Sequence, residues 1–175
     1  MITSDEMAVV DANAAALGVL RKQLMESSGN AVARAVREAA DPGDSVALVC
    51  GRGNNGGDAF VAARFLSEYD VTVHLLGREA TVSTTIAREN WDALGATGID
   101  AREVRDSASL SLGDPDVVVD AMLGTGVTGA LREPEATAAR RINDSEATVV
   151  AVDVPSGVNA DRSESVVWER VFRAV

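Results

Sequence analysis

The stretch VALVCGRGNNGGD, residues 46–58, decides the fold. Its first five residues are apolar and predict a buried strand at 46–50. Four glycines follow, and they allow the backbone to turn sharply and to approach a ligand closely. Residues 59–69 then have the apolar spacing of a helix. The stretch therefore predicts a strand, a glycine-rich turn and a helix start, whose free amides favour an anion.

The remainder of the chain alternates between strand and helix patterns. Further strands are predicted at residues 71–76, 99–104, 117–119 and 148–152, and helices at residues 84–94, capped by Ser83, and 135–142. Strands that are apolar on both faces and separated by helices indicate a parallel sheet covered on both sides. Two leading helices are predicted before the first strand, ending near residues 18 and 41, either as a cap or contact surface or, as the favoured interpretation, as core-covering amphipathic helices. We therefore expect one α/β domain over residues 1–175: a three-layer, Rossmann-like fold with a mainly parallel sheet and helices on both faces.

The charge balance limits the partners. Asp and Glu number 27 against 16 Lys and Arg, which gives a net charge of −11. Such a surface repels nucleic acid and anionic lipid. The sequence has neither a basic, apolar leader nor an apolar run of about 20 residues. A soluble cytoplasmic protein with no nucleic-acid partner and no membrane partner is expected.

Polar groups follow three of the predicted strands. They are the 51–58 loop, Asp120 with the glycine-rich residues 121–129, and Asp153 with Pro155-Ser156-Gly157. Ligands of open α/β sheets bind outside the carboxyl ends of the strands, where the strand order reverses. We therefore expect the three groups to converge. Taken alone, Asp153 fits a turn cap as well as a catalytic acid.

Several familiar sites are disfavoured. Gly51-x-Gly53-x-x-Gly56 matches the dinucleotide fingerprint, but the second strand ends without the ribose-binding acid. Arg78, at that position, could bind a 2′-phosphate, although an exposed surface arginine is the favoured interpretation. Ser156 lacks the preceding glycine of a nucleophile elbow. Cys50 is expected to be an inert core thiol, and His74, the single histidine, a buried strand residue.

Three motifs, taken together, resemble the NAD(P)H-hydrate epimerase family, the YjeF N-terminal domain. They are Gly53-Asn54-Asn55-Gly56-Gly57-Asp58, Val119-Asp120-Ala121-Met122-Leu123-Gly124-Thr125-Gly126 and Val152-Asp153-Val154-Pro155-Ser156-Gly157. Leu24-Met25-Glu26-x-x-Gly29 is similar to the leader of the family. The resemblance covers roughly residues 24–159.

The resemblance implies an isomerase that repairs damaged nicotinamide cofactor. The family interconverts the R and S forms of NADHX and NADPHX, the C6 hydrates of NADH and NADPH. The implied substrate contacts are Asn54, Asn55, Gly56, Gly57, Asp58, Gly124, Thr125, Gly126, Val127, Thr128, Gly129, Ala130 and Asp153. A potassium ion would be held by Asn55, Asp120 and Ser156. We expect Asp153 to be the catalytic acid and base.

The C-terminus departs from the family pattern, which continues beyond Pro-Ser-Gly into further strands. Here residues 160–175 form an atypical tail, whose last ten residues have a helix-like amphipathic pattern. This apparent truncation keeps two alternatives open: an NAD(P)-dependent dehydrogenase, and a non-catalytic nucleotide-binding or scaffold remnant of the fold. A homodimer and a separate dehydratase are the protein partners that the resemblance allows.

Overall fold

A computed structural model describes residues 4–124, 130–158 and 173–174. One sheet of six parallel strands has the order β3-β2-β1-β4-β5-β6. The strands are β1 (Ser45–Cys50), β2 (Asp70–Leu76), β3 (Asp100–Val104), β4 (Val117–Ala121), β5 (Thr148–Ala151) and β6 (Arg173–Ala174). The helices are α1 (Ser4–Ala16), α2 (Arg21–Ala39), α3 (Asn54–Arg64), α4 (Thr85–Gly95) and α5 (Glu135–Asp144). The Rossmann-like fold and the mainly parallel sheet are confirmed.

The sheet is covered on both faces. Apolar side chains of α2, α3 and α4 share one core with alternate residues of the strands, among them Leu48 and Val119. On the other face α5 packs over Val49, Val118 and Val149 in a second, smaller core. Strands β1 and β4 are buried along almost their whole length, because helices lie on both sides of them. Their continuous apolar runs are thus explained by the architecture.

The strand order reverses between β1 and β4. Val49 pairs with Asp120, and Asp120 in turn pairs with Ala151 of β5. The segments that follow β1, β4 and β5 therefore leave the sheet side by side at its carboxyl edge. This is the position at which an open α/β sheet binds its ligand.

Helix α3 differs from the sequence-based expectation. It begins at Asn54 instead of residue 59 and ends at Arg64 instead of residue 69. Gly56 and Gly57 lie in its first turn, where both are buried. Close packing against neighbouring segments overrides the low helix propensity of glycine here. The motif is therefore a helix start, and only residues 51–53 form the turn.

Two further boundaries are corrected. Helix α4 is capped by Thr84, whose Oγ1 accepts from the backbone N–H of Ala87, and not by Ser83. Residues 173–174 lie in a strand beside β5 and not in a helix, because the outer edge of β5 offers unpaired backbone groups. The rest of the 160–175 tail lies outside the described residues. Cys50 and His74 are buried, as expected, and Leu24-Met25-Glu26 and Gly29 lie in the core-covering helix α2.

No helix in the described part of the chain combines the length and the apolar character needed to cross a membrane.

Candidate functional site

The segments after β1, β4 and β5 meet at Gly124. A Cβ atom placed on this glycine would lie 2.9 Å from Oδ2 of Asp153 and 3.8 Å from Cβ of Asn55. Any larger residue at position 124 would thus press on the Asp153 carboxylate. The predicted convergence of the three strand-end segments is present, and we call Asn55, Asp58, Asp120, Gly124, Asp153 and Ser156 the strand-end cluster.

Two glycines allow the segments to approach so closely. A Cβ atom on Gly51 would collide with the backbone oxygen of Met122, and one on Gly56 would collide with the backbone oxygen of Gly51. The N–H of Gly51 donates to the carbonyl of Ala121 at 2.9 Å, which continues the pairing of β1 with β4. The backbone of the first turn of α3 therefore rests directly on the ends of both strands. No side chain caps this helix start, which leaves its first amides available to an anion.

Asp120 is fully buried and anchors the segment after β5. The backbone N–H of Ser156 donates to its Oδ2 at 2.8 Å, and the Ser156 hydroxyl donates to its Oδ1 at 2.7 Å. The N–H of Met122 also donates to Oδ1, at 3.2 Å. Burial raises the pKa of Asp120 to about 6, and the hydrogen bonds from Ser156 and Met122 oppose this rise.

Asn55 brings an unsatisfied oxygen to the same place. Its Nδ2 donates to the carbonyl of Leu123 at 2.9 Å, and the N–H of Leu123 donates to Oγ of Ser156 at 3.0 Å. Oδ1 of Asn55 is buried and has no hydrogen-bond partner among the described residues. A buried carbonyl oxygen without a partner is costly, unless a ligand or ion satisfies it.

Asp153 is exposed and has a φ of 68°, in the left-handed region. Asp and Asn are among the few residues other than glycine that adopt this region, and such strain is concentrated at functional sites. The conformation directs the carboxylate toward Gly124, over the start of α3. Asp153 is therefore an exposed acid of the cluster, whereas Asp120 is fully buried.

Asp58, one turn into α3, has the most strongly perturbed carboxyl group of the cluster. Burial raises its pKa from 3.8 to about 7, although a hydrogen bond with Ser28 of α2 lowers it, and the negative charge of Asp153 raises it further. Near neutral pH this carboxyl group carries a proton for much of the time. The sequence singled out Asp58 but could not indicate this, because its burial depends on the packing of α2.

The Asp58→Asn variant is expected to lose a pH dependence of stability that the wild-type protein shows. The folded protein holds the Asp58 proton up to about pH 7, whereas the unfolded chain releases it near pH 4. Wild-type stability relative to the variant is therefore highest below pH 4 and falls by about 2–4 kcal/mol as the pH rises to 7. Urea unfolding at pH 4, 5.5 and 7.5 measures the difference. Asp92→Asn, at an exposed position, serves as the control. If the stability of Asp58→Asn and of the wild-type protein changes with pH in parallel, the raised pKa of Asp58 is contradicted.

The other predicted contacts have different surroundings. Asn54 is exposed, and its Oδ1 accepts from Oγ1 of Thr84 at 2.8 Å. Gly57 packs against Met25, whose Cε would lie 2.8 Å from a Cβ at this position. Ala130 is exposed. Thr125, Gly126, Val127, Thr128 and Gly129 lie outside the described residues.

Sequence reasoning missed Arg52. This exposed residue lies between two glycines of the turn, and its side chain reaches over Gly77 at the end of β2. Its position within a glycine-rich turn was the available signal, because the side chain of a residue flanked by glycines is free to point toward a ligand. Arg78, which the sequence analysis considered for binding a 2′-phosphate, follows Gly77 and is exposed.

A family model and several curated proteins match this chain over most of its length. The family model described as "YjeF-related protein N-terminus" matches residues 21–174. The bifunctional NAD(P)H-hydrate repair enzyme Nnr of Methanothermobacter thermautotrophicus is 49% identical over 163 residues, which cover 89% of this chain and 31% of that enzyme. The NAD(P)H-hydrate epimerase of Cenarchaeum symbiosum is 39% identical over 166 residues, covering 94% of this chain and 78% of that protein.

A solved structure agrees with the fold. The crystal structure of yeast ynu0 matches with a TM-score of 0.81 and 25% identity, covering 98% of this chain and 76% of that one. The chain spans about a third of the length of the bifunctional enzymes that it matches.

Proposed function

This chain belongs to the YjeF-related protein N-terminus family, and from this premise we propose that it epimerises the hydrates of nicotinamide cofactors, NADHX and NADPHX. The convergence of Asn55, Gly124 and Asp153 at one strand-end crevice is the observation that carries the proposal. The names of the matched relatives, NAD(P)H-hydrate epimerase and NAD(P)H-hydrate repair enzyme, support it.

The reaction inverts the hydrated carbon of the nicotinamide ring. Its hydroxyl group is next to the ring nitrogen, whose lone pair forms a C=N bond as the C–O bond breaks. In its protonated form, the carboxyl group of Asp153 gives a proton to the departing hydroxyl, which leaves as water. Water then adds to the opposite face and returns a proton to the Asp153 carboxylate, so that the enzyme is regenerated.

The start of α3 suits the pyrophosphate of such a substrate. Its uncapped first-turn amides and positive helix end favour an anion, and the glycine backbone leaves room for close approach. In this assignment the substrate is bound by Asn54, Asn55, Gly56, Gly57, Asp58, the segment 124–130 and Asp153.

The direct test of the proposed function is an NMR assay of R-NADHX and R-NADPHX conversion to the S forms. Hydride transfer to a substrate would favour a dehydrogenase instead, and binding without turnover a non-catalytic protein.

We propose that a potassium ion binds among the buried oxygen atoms of the strand-end cluster. The unpartnered Oδ1 of Asn55, the Asp120 carboxylate and the Ser156 hydroxyl offer oxygen atoms, which suit a hard cation. No group of three or more His, Cys, Asp or Glu residues in the described ranges could hold a metal ion, so a single carboxylate among neutral oxygens is the available donor set. When bound, the ion would neutralise Asp120 and fix the position of the segment after β5.

Potassium is expected to stabilise the protein through Asn55. Potassium chloride should raise the free energy of unfolding by about 1–3 kcal/mol over choline chloride of equal concentration. The Asn55→Ala variant should lose this difference, because it lacks the unpartnered oxygen, whereas Asn13→Ala on the exposed helix α1 should retain it. Thermal unfolding in the two salts measures the effect. Equal stability of the wild-type protein in both salts would exclude a potassium site.

Self-association completes the proposal. Helix α1 and the residues after it expose large apolar side chains, at Val9, Val10, Leu17 and Leu20. Such exposure favours a partner surface, and we assign it to a homodimer. Analytical ultracentrifugation at micromolar concentration tests this, and a monomer would contradict it.

The word bifunctional in the names of the relatives supports a dehydratase as a second partner, which co-purification with such an enzyme would test.

A further inference from the structure

A cavity of about 360 Å³ lies at the carboxyl ends of β2 and β3. Its floor is formed by the last residues of β2 and β3, Leu76 and Val104, and Pro134 adds a further apolar wall. Arg52, from the turn after β1, lines it as well. One residue of the glycine-rich turn that precedes α3 therefore belongs to the wall of the cavity. Its volume is within the range of small-molecule sites.

Gly77, directly after β2, leaves room for Arg52 at this cavity. Gly77 has a φ of 125°, and a Cβ atom there would lie 2.8 Å from Cδ of Arg52. The absence of a side chain at position 77 therefore makes room for the aliphatic part of Arg52. Among the described residues no carboxylate pairs with this guanidinium, although acidic residues outnumber basic ones in the chain.

Arg105, just after β3, brings a second guanidinium to the cavity. It forms an ion pair with Glu103, to which its Nε donates at 2.6 Å, and its side chain is 65% exposed. A guanidinium has five N–H donors, so this pair leaves donors for a ligand.

The two carboxylates at the cavity are already engaged. Asp106 accepts from the N–H of Ala108 at 3.0 Å, and Glu133 forms an ion pair with Arg140. Among the residues that line the cavity, Arg52 and Arg105 are the side chains with charged N–H donors for a ligand.

We propose that this cavity holds the adenosine half of the substrate, and that Arg52 and Arg105 bind the 2′-phosphate that distinguishes NADPHX from NADHX. The proposal rests on the proposed function. With the pyrophosphate at the start of α3 and the nicotinamide ring over Gly124, the other half of the molecule extends over β2. The apolar floor suits the adenine ring, and paired guanidinium groups suit a phosphate monoester. The site therefore prefers NADPHX.

Two adenosine nucleotides test the assignment without turnover. Isothermal titration is done with adenosine 2′,5′-bisphosphate and with adenosine 5′-monophosphate, which lacks the 2′-phosphate. Wild-type protein is expected to bind the bisphosphate at least about tenfold more tightly. Arg52→Gln and Arg105→Gln should each reduce this preference by about tenfold, whereas Arg78→Gln, a neighbouring exposed arginine outside the cavity, should leave it unchanged.

Equal affinity of the wild-type protein for the two nucleotides would overturn the proposal, and so would an equal effect of Arg78→Gln. If Arg52→Gln does not fold, the nucleotide preference of the wild-type protein and the effect of Arg105→Gln on it still test the proposal. Conversion of R-NADHX, which has no 2′-phosphate, separates this inference from the proposed function. If the protein converts NADHX but shows no preference between the two nucleotides, the assignment of the cavity is refuted and the epimerase activity is not. If it shows an arginine-dependent preference but converts neither hydrate, the epimerase activity is refuted and the assignment of the cavity is not.

Discussion

Asp153→Asn is expected to reduce kcat/KM for epimerisation by about 10²–10⁴-fold, the usual contribution of a positioned acid and base. The amide has nearly the same shape as the carboxyl group but cannot exchange a proton. Asn also tolerates the left-handed backbone that Asp153 adopts, so the fold and the thermal midpoint should be preserved. Substitution by Ala would be less informative, because it adds backbone strain to the loss of the carboxylate.

The rate is measured for the R-to-S conversion of both hydrates, together with Tm from circular dichroism. Asp92→Asn, which removes an exposed carboxylate on α4, is the matched control and should be fully active. If Asp153→Asn converts substrate at the wild-type rate, another group moves the proton. If its Tm falls strongly instead, Asp153 supports the turn and the catalytic assignment is lost.

Gly56→Ala is expected to destabilise the protein by about 3 kcal/mol, at the upper end of the usual cost of overpacking. The added methyl group would collide with the backbone oxygen of Gly51. Gly51 cannot retreat, because its N–H is bonded to Ala121 and its Cα faces the backbone of Met122. The expected decrease in Tm is about 10 °C for a domain of this size.

Gly95→Ala is the matched control for this variant. Gly95 ends α4, and a Cβ atom there would meet no other atom within 4 Å. The same chemical change should therefore be neutral or slightly stabilising at position 95. If Gly56→Ala has the same Tm as the wild-type protein, the start of α3 can move away from β1. Epimerase activity of Gly56→Ala, assayed below its Tm, should also fall, because the first-turn amides would shift.

The fold was largely predictable because buried parallel strands have a simple pattern. The apolar runs at 46–50 and 148–152 identify β1 and β5, and the polar residues that follow them identify the carboxyl edge of the sheet. The start of α3 was not predictable in the same way. Gly56 and Gly57 argue against a helix on propensity alone, and only their contacts with Gly51 and Met25 explain why the helix includes them.

The positions of the two acids at strand ends were predictable, but their surroundings were not. Spacing along the chain placed Asp120 and Asp153 at strand ends. It could not show that one is buried beneath Ser156 and the other exposed with a left-handed backbone. The position of Arg52 depends on its contact with Gly77, and the raised pKa of Asp58 comes from burial among segments that lie far away in the sequence. Such long-range contacts have no signature in a local pattern.

The strand-end cluster also bears on how the protein is made. Its members come from three stretches that together span about a hundred residues of chain, and among the described residues Ser156 and Met122 donate hydrogen bonds to the Asp120 carboxylate. During synthesis, β1 and α3 leave the ribosome long before position 156 does, so Asp120 gains its hydrogen bonds from Ser156 only after most of the domain has been made. Completion of the crevice and of the sheet centre is therefore one late event, and a nascent chain shorter than this has no competent binding site to offer.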